Sequence, residues 1–232
     1  MRFLLVDNAI DHGMYRPLEH WAALAGFEPE RVHPPGGDPW PRPGEHTHVL
    51  LSGSESSITA REAWAEEELR WVQRAARCGA RILGSCWGHQ LIAVALGGPD
   101  CVRCSPTPEF GWERIEPVAR RGGGGPDAPD ALIVETFEAF VSHFDEVVPG
   151  CRPELRVLAT SPGCPVQALR WGDLPVWGIQ AHPEIDPPTG RSFLEVAMER
   201  WPDHAARFRA ALEGPVRDSH CGRTLLARFL AT

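Results

Sequence analysis

Two short stretches, far apart in the chain, hold the residues best suited to do chemistry. The first is ILGSCWGHQLIAVALGG, residues 82–98, where Cys86 sits between Gly84 and Gly88 in an otherwise apolar run. Gly-Ser-Cys-Trp-Gly has the G-x-nucleophile-x-G form of a strand-to-helix elbow, with cysteine in the place serine holds in many hydrolases. The turn is so tight that side chains at the two glycines would collide with neighbouring backbone. Cys86 is thereby raised at the carboxyl end of a sheet, where open α/β folds bind ligands. A helix starting near Gly88 would direct its free N–H groups and its dipole toward the sulfur and favour an anion there. The same geometry aims the Trp87 N–H beside the sulfur as an oxyanion donor. Alone, the pattern also suits a small buried hydrophobe at a strand end, as free cysteines often are. The chemical reading requires a base.

The second stretch, VWGIQAHPEI, supplies one. His182 closes a predicted strand, Pro183 fixes the backbone after it, and Glu184 follows at once. A carboxylate placed there can orient the imidazole and stabilise its charged form. His12, His20, His33, His46, His48, His204 and His220 read instead as loop residues or members of polar helix faces.

The elements that must position these groups follow an α/β rhythm. RFLLVD (2–7), THVLLSG (47–53) and RILGSC (81–86) read as strands. Helical patterns follow at about 16–25, over AREAWAEEELRWVQRAARC (60–78, with Trp64, Leu69, Val72 and Ala76 on one face) and over GHQLIAVALGG (88–98). Alternation of this kind implies an open, mostly parallel central sheet with helices on both faces. After residue 100 the pieces CVRC, WERIEPV, ALIVETF, LRVLATS, PVQALRW and PVWGIQAH read as short strands of a small antiparallel extension. RRGGGGPDAPD (120–130) reads as a solvated loop, since no G-K-[ST] follows its glycines. Three helical patterns, about 189–199, 202–213 and 216–230, close the chain. The whole reads as one domain, 1–232, with a helical extension from about 187.

Composition excludes several classes. Every one of the 23 basic residues is arginine, so Schiff-base lysine chemistry and a phosphate-loop lysine are ruled out. The net charge of -8 argues against a nucleic-acid footprint. The apolar run opening MRFLLVDNAIDHG is too short for a signal-peptide core or a membrane span, which leads us to expect a cytoplasmic protein. Cys78, Cys86, Cys101, Cys104, Cys151, Cys164 and Cys221 make an odd set, so reduced thiols are expected, not a disulfide framework. Cys101 and Cys104 form a C-x-x-C without a matching second pair, so no metal site is expected, and no cofactor motif stands out.

GSCWGHQ (84–90) followed by AHPE (181–184) resembles the class I, triad-type glutamine amidotransferases, over nearly the whole length from the first strand to Glu184. The resemblance implies a flavodoxin-like sheet, with Cys86 as nucleophile, His182 as general acid/base and Glu184 as its orienting partner. It points to Gly53 or Ser54, in LLSGSES, for the second oxyanion donor. It points to Gln90, and to the backbone around Ser142 and His143 in FVSHFDEV, for the substrate's amino-acid end, although His143 and Asp145 also suit a surface turn. The substrate implied is glutamine or another γ-glutamyl compound, and no cofactor is implied. No nucleotide-binding motif is recognisable after Glu184, so the likeness is to the stand-alone branch, which includes γ-glutamyl peptidases. The amine released then goes to a separate synthase subunit, or the chain is a free-standing γ-glutamyl hydrolase. A catalytically silent binding module and a Cys-His protease acting on proteins are the competing classes.

Overall fold

A computed structural model describes residues 1–118, 130 and 132–232. Five strands run parallel: β1 (Phe3–Val6), β2 (Glu30–Val32), β3 (His48–Leu51), β4 (Arg81–Ser85) and β9 (Val176–Ile179). Four more continue the sheet antiparallel: β8 (Ala168–Trp171), β7 (Leu155–Thr160), β5 (Val102–Pro117) and β6 (Phe137–Val147). The order is β2-β1-β3-β4-β9-β8-β7-β5-β6, and its parallel half has the flavodoxin-type pattern in which the first strand lies inside the second.

Strand alternation decides which side chains meet which layer. Leu4, Val6, Val49, Leu51 and Ile82 face α2 (Ala63–Arg77) and α3 (Trp87–Gly97). Phe3, Leu5, Leu50 and Leu83 face the other side, covered by α1 (Pro17–Ala25) and by α6 (Gly222–Leu230), with Trp21 and Phe229 fully buried among them. A third apolar cluster joins Met14, Tyr15, Trp112 and Phe140 to α4 (Pro187–Arg200) and α5 (Ala205–Glu213). None of the described helices is long and apolar enough to cross a membrane.

Several expectations need correction. Val102–Cys104 of CVRC and Trp112–Pro117 of WERIEPV belong to one long strand, β5, with a register shift between Cys104 and Glu109. ALIVETF is not a strand of its own: only Phe137 enters β6, while Leu132 and Ile133 are buried without strand pairing. The last helix starts at Gly222, because residues 215–220, which begin with Pro215, run without helical hydrogen bonding. His46 and His48 are buried: His46 bonds Glu30 at 2.8 Å, and His48 lies on β3 against Phe229. Burial and the Arg81 charge lower the pKa of His48.

The expectation of reduced thiols fails for one pair, since Cys101 and Cys151 are joined as a disulfide. Cys101 stands just before β5 and Cys151 just after β6, and the hairpin brings these ends together, with Val102 opposite Val147 and the Val148 N–H on the Cys101 carbonyl at 2.8 Å. Cys101 is therefore not available to the C-x-x-C pair. The glycine-rich stretch from 120 to 129 lies outside the described residues, whereas Asp130 is buried and accepts from the Trp177 indole.

Candidate active site

The β4–α3 junction has the sharp geometry its glycines suggested. Cys86 takes φ 49° and ψ −106°, a region L-residues rarely occupy. It is held there by its N–H to the Ile179 carbonyl (2.8 Å) and by its own carbonyl, which accepts from the Gln90 N–H (3.2 Å). A Cβ at Gly84 would lie 2.3 Å from the Gly88 carbonyl oxygen, and one at Gly88 would lie 2.4 Å from that of Leu51. Backbone cannot yield to such contacts, so both positions require glycine. Trp87 begins the helix, where its N–H has no helical acceptor.

His182 reaches the same place from β9. Its N–H donates to the Phe140 carbonyl at 2.8 Å, which ties the strand end to β6, and the Ser85 hydroxyl donates to the Ala181 carbonyl. The imidazole Nδ1 pairs with Glu184 Oε1 at 2.8 Å, and the ring lines the same cavity as the Cys86 side chain. Burial pulls down the pKa of His182, but the charges of Cys86 and Glu184 outweigh it and push it up to about 10. Glu184 is itself buried, and its Oε1 also accepts from the Tyr15 hydroxyl. Burial first, and then the Glu184 charge, hold the Tyr15 phenol well above its usual pKa, so it stays a donor.

All nine predicted site residues gather here. Cys86, Trp87, Gln90, Ser54, Ser142, His143 and His182 line one cavity of about 330 Å³. Glu184 stands behind His182. Gly53 packs so closely on the imidazole that a Cβ there would lie 2.7 Å from His182 Cε1 and 3.6 Å from Cys86 Cβ. Gln90 uses both amide N–H groups, on the Asp145 carbonyl (2.8 Å) and on Gln180 Oε1 (3.1 Å), which leaves its Oε1 free to accept. His143 and Asp145 form no surface turn but lie buried in β6. The His143 ring is occupied by the Asp145 carbonyl and by Glu109, so its backbone is what it offers the cavity. The Asp145 carboxylate accepts from the Ser57 hydroxyl at 2.6 Å.

Other members of the site have no counterpart in the sequence reading. Tyr15 comes from the loop after β1, and the one available hint was that it is the chain's only tyrosine. Gln180 donates to the Cys86 sulfur at 3.5 Å, and period-two alternation from His182 already puts it on the same strand face. Glu55 lines the cavity and accepts from the Ile10 N–H, with its pKa raised by burial. Phe193, Trp201 and His204, from the carboxyl-terminal extension, complete the wall. Two groups of possible metal ligands lie close together: Asp7, His12 and His33, and Glu109, His143 and Cys164. In the second, Glu109 is already bonded by Ser161, Gly163, Gln167 and His143.

Comparison with known proteins places these residues in context. The family model "Glutamine amidotransferase class-I" matches residues 42–198. A glutamine-hydrolyzing GMP synthase of Aeropyrum pernix is 38% identical over 142 residues, covering 59% of this chain and 24% of that protein. A separate subunit of the glutamine-hydrolyzing GMP synthase of Ignicoccus hospitalis is 30% identical over 180 residues, covering 75% of this chain and 83% of that protein. The chain thus spans about a quarter of the full-length synthases it matches, and most of the separate subunit. The crystal structure of a glutamine amidotransferase from Methylobacillus flagellatus superposes with a TM-score of 0.71 at 20% identity, over 99% of this chain and 94% of the other, a likeness of fold.

Proposed function

The chain belongs to the class I glutamine amidotransferase family, and from that premise we propose that it hydrolyses the γ-amide of glutamine or of a related γ-glutamyl compound through a thioester on Cys86. The observation that carries this reading is a cysteine, held in a strained elbow, that shares one cavity with His182, itself paired with buried Glu184.

In this mechanism the Cys86 sulfur attacks the γ-carbonyl carbon. The Trp87 N–H, with that of Gly53 or Ser54, holds the developing oxyanion. His182 gives its proton to the departing nitrogen, and the C–N bond breaks to leave the thioester. Water then gives a proton to His182 and its oxygen to the carbonyl, the C–S bond breaks, and glutamate leaves. Glu184, fixed by Tyr15, keeps the imidazole oriented and stabilises its charged form. Gln90 Oε1 and the Ser142–His143 backbone receive the amino-acid end.

Two destinations for the amine fit this chemistry. The likeness to a separate synthase subunit supports delivery of ammonia to a partner synthase. The aromatic closure of the cavity by Phe193, Trp201 and His204 supports a stand-alone hydrolase of substituted γ-glutamyl amides. Glutamate release from glutamine and from γ-glutamyl amides, compared between wild type and Cys86→Ala, tests the common mechanism. The variant is expected to lose about 10⁴-fold or more in rate, and equal release by both proteins refutes it. Glutaminase activity that rises only when a synthase is added identifies the ammonia-delivering role.

A further inference from the structure

The cavity is divided by origin. Residues 42–198, matched by the family model, supply Cys86, Gln90, His182 and Glu184, whereas Trp201 and His204 come from beyond that span. Hydrolysis of free glutamine leaves ammonia, which requires no wall. Yet the cavity that holds the imidazole proposed to protonate the leaving nitrogen is walled by aromatic rings. Tyr15 meets His182 edge-on at 5.5 Å, Phe193 meets Tyr15 at 6.4 Å, and Phe144 lies 4.8 Å from His204 and 5.9 Å from Trp201.

This wall is fixed in advance. Phe208, fully buried, backs Trp201 at 6.0 Å and Phe144 at 6.3 Å, while Trp201, His204 and Phe144 stay half-buried. The Arg200 guanidinium lies 5.5 Å from the Trp201 ring and pairs with Asp11 at 2.7 Å, joining the end of α4 to the loop that carries Tyr15. One face of the indole is thus already taken by a guanidinium. What remains favourable is a neutral ring, packed offset or edge-on in contacts that aliphatic groups do not form.

We propose that the site takes γ-glutamyl amides whose amine carries an aromatic ring, and that Phe193, Trp201, His204 and Phe144 receive that ring. This rests on Cys86 being the nucleophile as described above. The Cys86 sulfur bonds to the γ-carbonyl carbon as the C–N bond breaks, the proton of His182 goes to the nitrogen, and a neutral arylamine departs. Water then hydrolyses the thioester and releases glutamate.

The test compares kcat/KM for γ-glutamylanilide, γ-glutamylcyclohexylamide and glutamine in wild type, Trp201→Ala and Trp201→Phe. The anilide is expected to be preferred to glutamine. Its advantage over the cyclohexylamide should fall about three- to tenfold in Trp201→Ala, mainly through KM, as loss of an aromatic contact implies, and return in Trp201→Phe. The anilide-to-cyclohexylamide ratio also cancels the differing reactivity of the two amides when variants are compared. If Trp201→Ala does not fold, His204→Leu at the same rim is read in the same way. A ratio unchanged by these substitutions, or glutamine preferred to the anilide, overturns the inference and leaves the Cys86 mechanism standing. Absence of turnover on all three substrates overturns the inference, and glutamine turnover that stays absent when a synthase is added overturns the mechanism as well.

Discussion

Replacing Gly53 with alanine isolates the role of close packing against the imidazole. No positive φ is required at this position, so alanine brings no backbone strain, and it keeps the N–H proposed as an oxyanion donor. All it adds is one methyl group, 2.7 Å from His182 Cε1, where ordinary contact begins near 3.4 Å. The ring must therefore retreat by about 0.7 Å, yet it is held by Glu184 on one side and by its backbone bond to Phe140 on the other. Misplacement of a reacting group by about 1 Å costs on the order of 10²-fold in rate. Overpacking of this kind destabilises by about 1–3 kcal/mol, several degrees in Tm for a domain of this size. We expect kcat for a γ-glutamyl amide to drop about a hundredfold at 25 °C while the protein stays folded by circular dichroism. A variant within threefold of wild type in kcat would refute the view that Gly53 is needed because His182 fills the space of its side chain.

Three further outcomes follow from the structure. Tyr15→Phe removes a hydrogen bond to a buried carboxylate, worth about 1.5–3 kcal/mol, and should lower both stability in urea and kcat; an unchanged urea midpoint would mean that the bond is not formed. His182 has its folded pKa raised from 6.5 to about 10, so its contribution is fully present below pH 6.5 and is lost as pH rises toward 10. Tm should fall across that window, and in Cys86→Ala, which lacks one of the two charges that raise the pKa, the fall should be complete at lower pH; superimposable curves would exclude the coupling. Finally, the Cys101–Cys151 bond closes a loop of 50 residues, for which chain entropy gives about 4 kcal/mol. Thiol titration of the denatured, unreduced protein should count the five free cysteines, and a count of seven would show the pair reduced.

Cys86, His182 and the parallel half of the fold were legible in the sequence because each rests on local pattern. Gly84, Cys86 and Gly88 encode the elbow within five residues, and the unbroken apolar runs around Leu4, Val6, Val49 and Leu51 mark parallel strands buried on both faces. β6 was obscured for the opposite reason: His143 and Asp145 put polar groups on its buried side, where they serve the cavity, so the strand mimics a turn. Tyr15 and Trp201 join the site only through tertiary packing of segments distant from Cys86. Nothing around Cys101 or Cys151 signals the other, since the hairpin that unites them is visible only once paired.

Gly222 opens α6, and a Cβ there would lie 2.2 Å from the carbonyl oxygen of Pro183, the residue between His182 and Glu184. The final helix is thus a buttress pressed against the back of the turn that carries His182 and Glu184. Cutting the chain before α6 would remove that buttress, whereas a tag after Thr232 leaves from the opposite end of the helix, where Phe229 packs on His48 beside the start of β1.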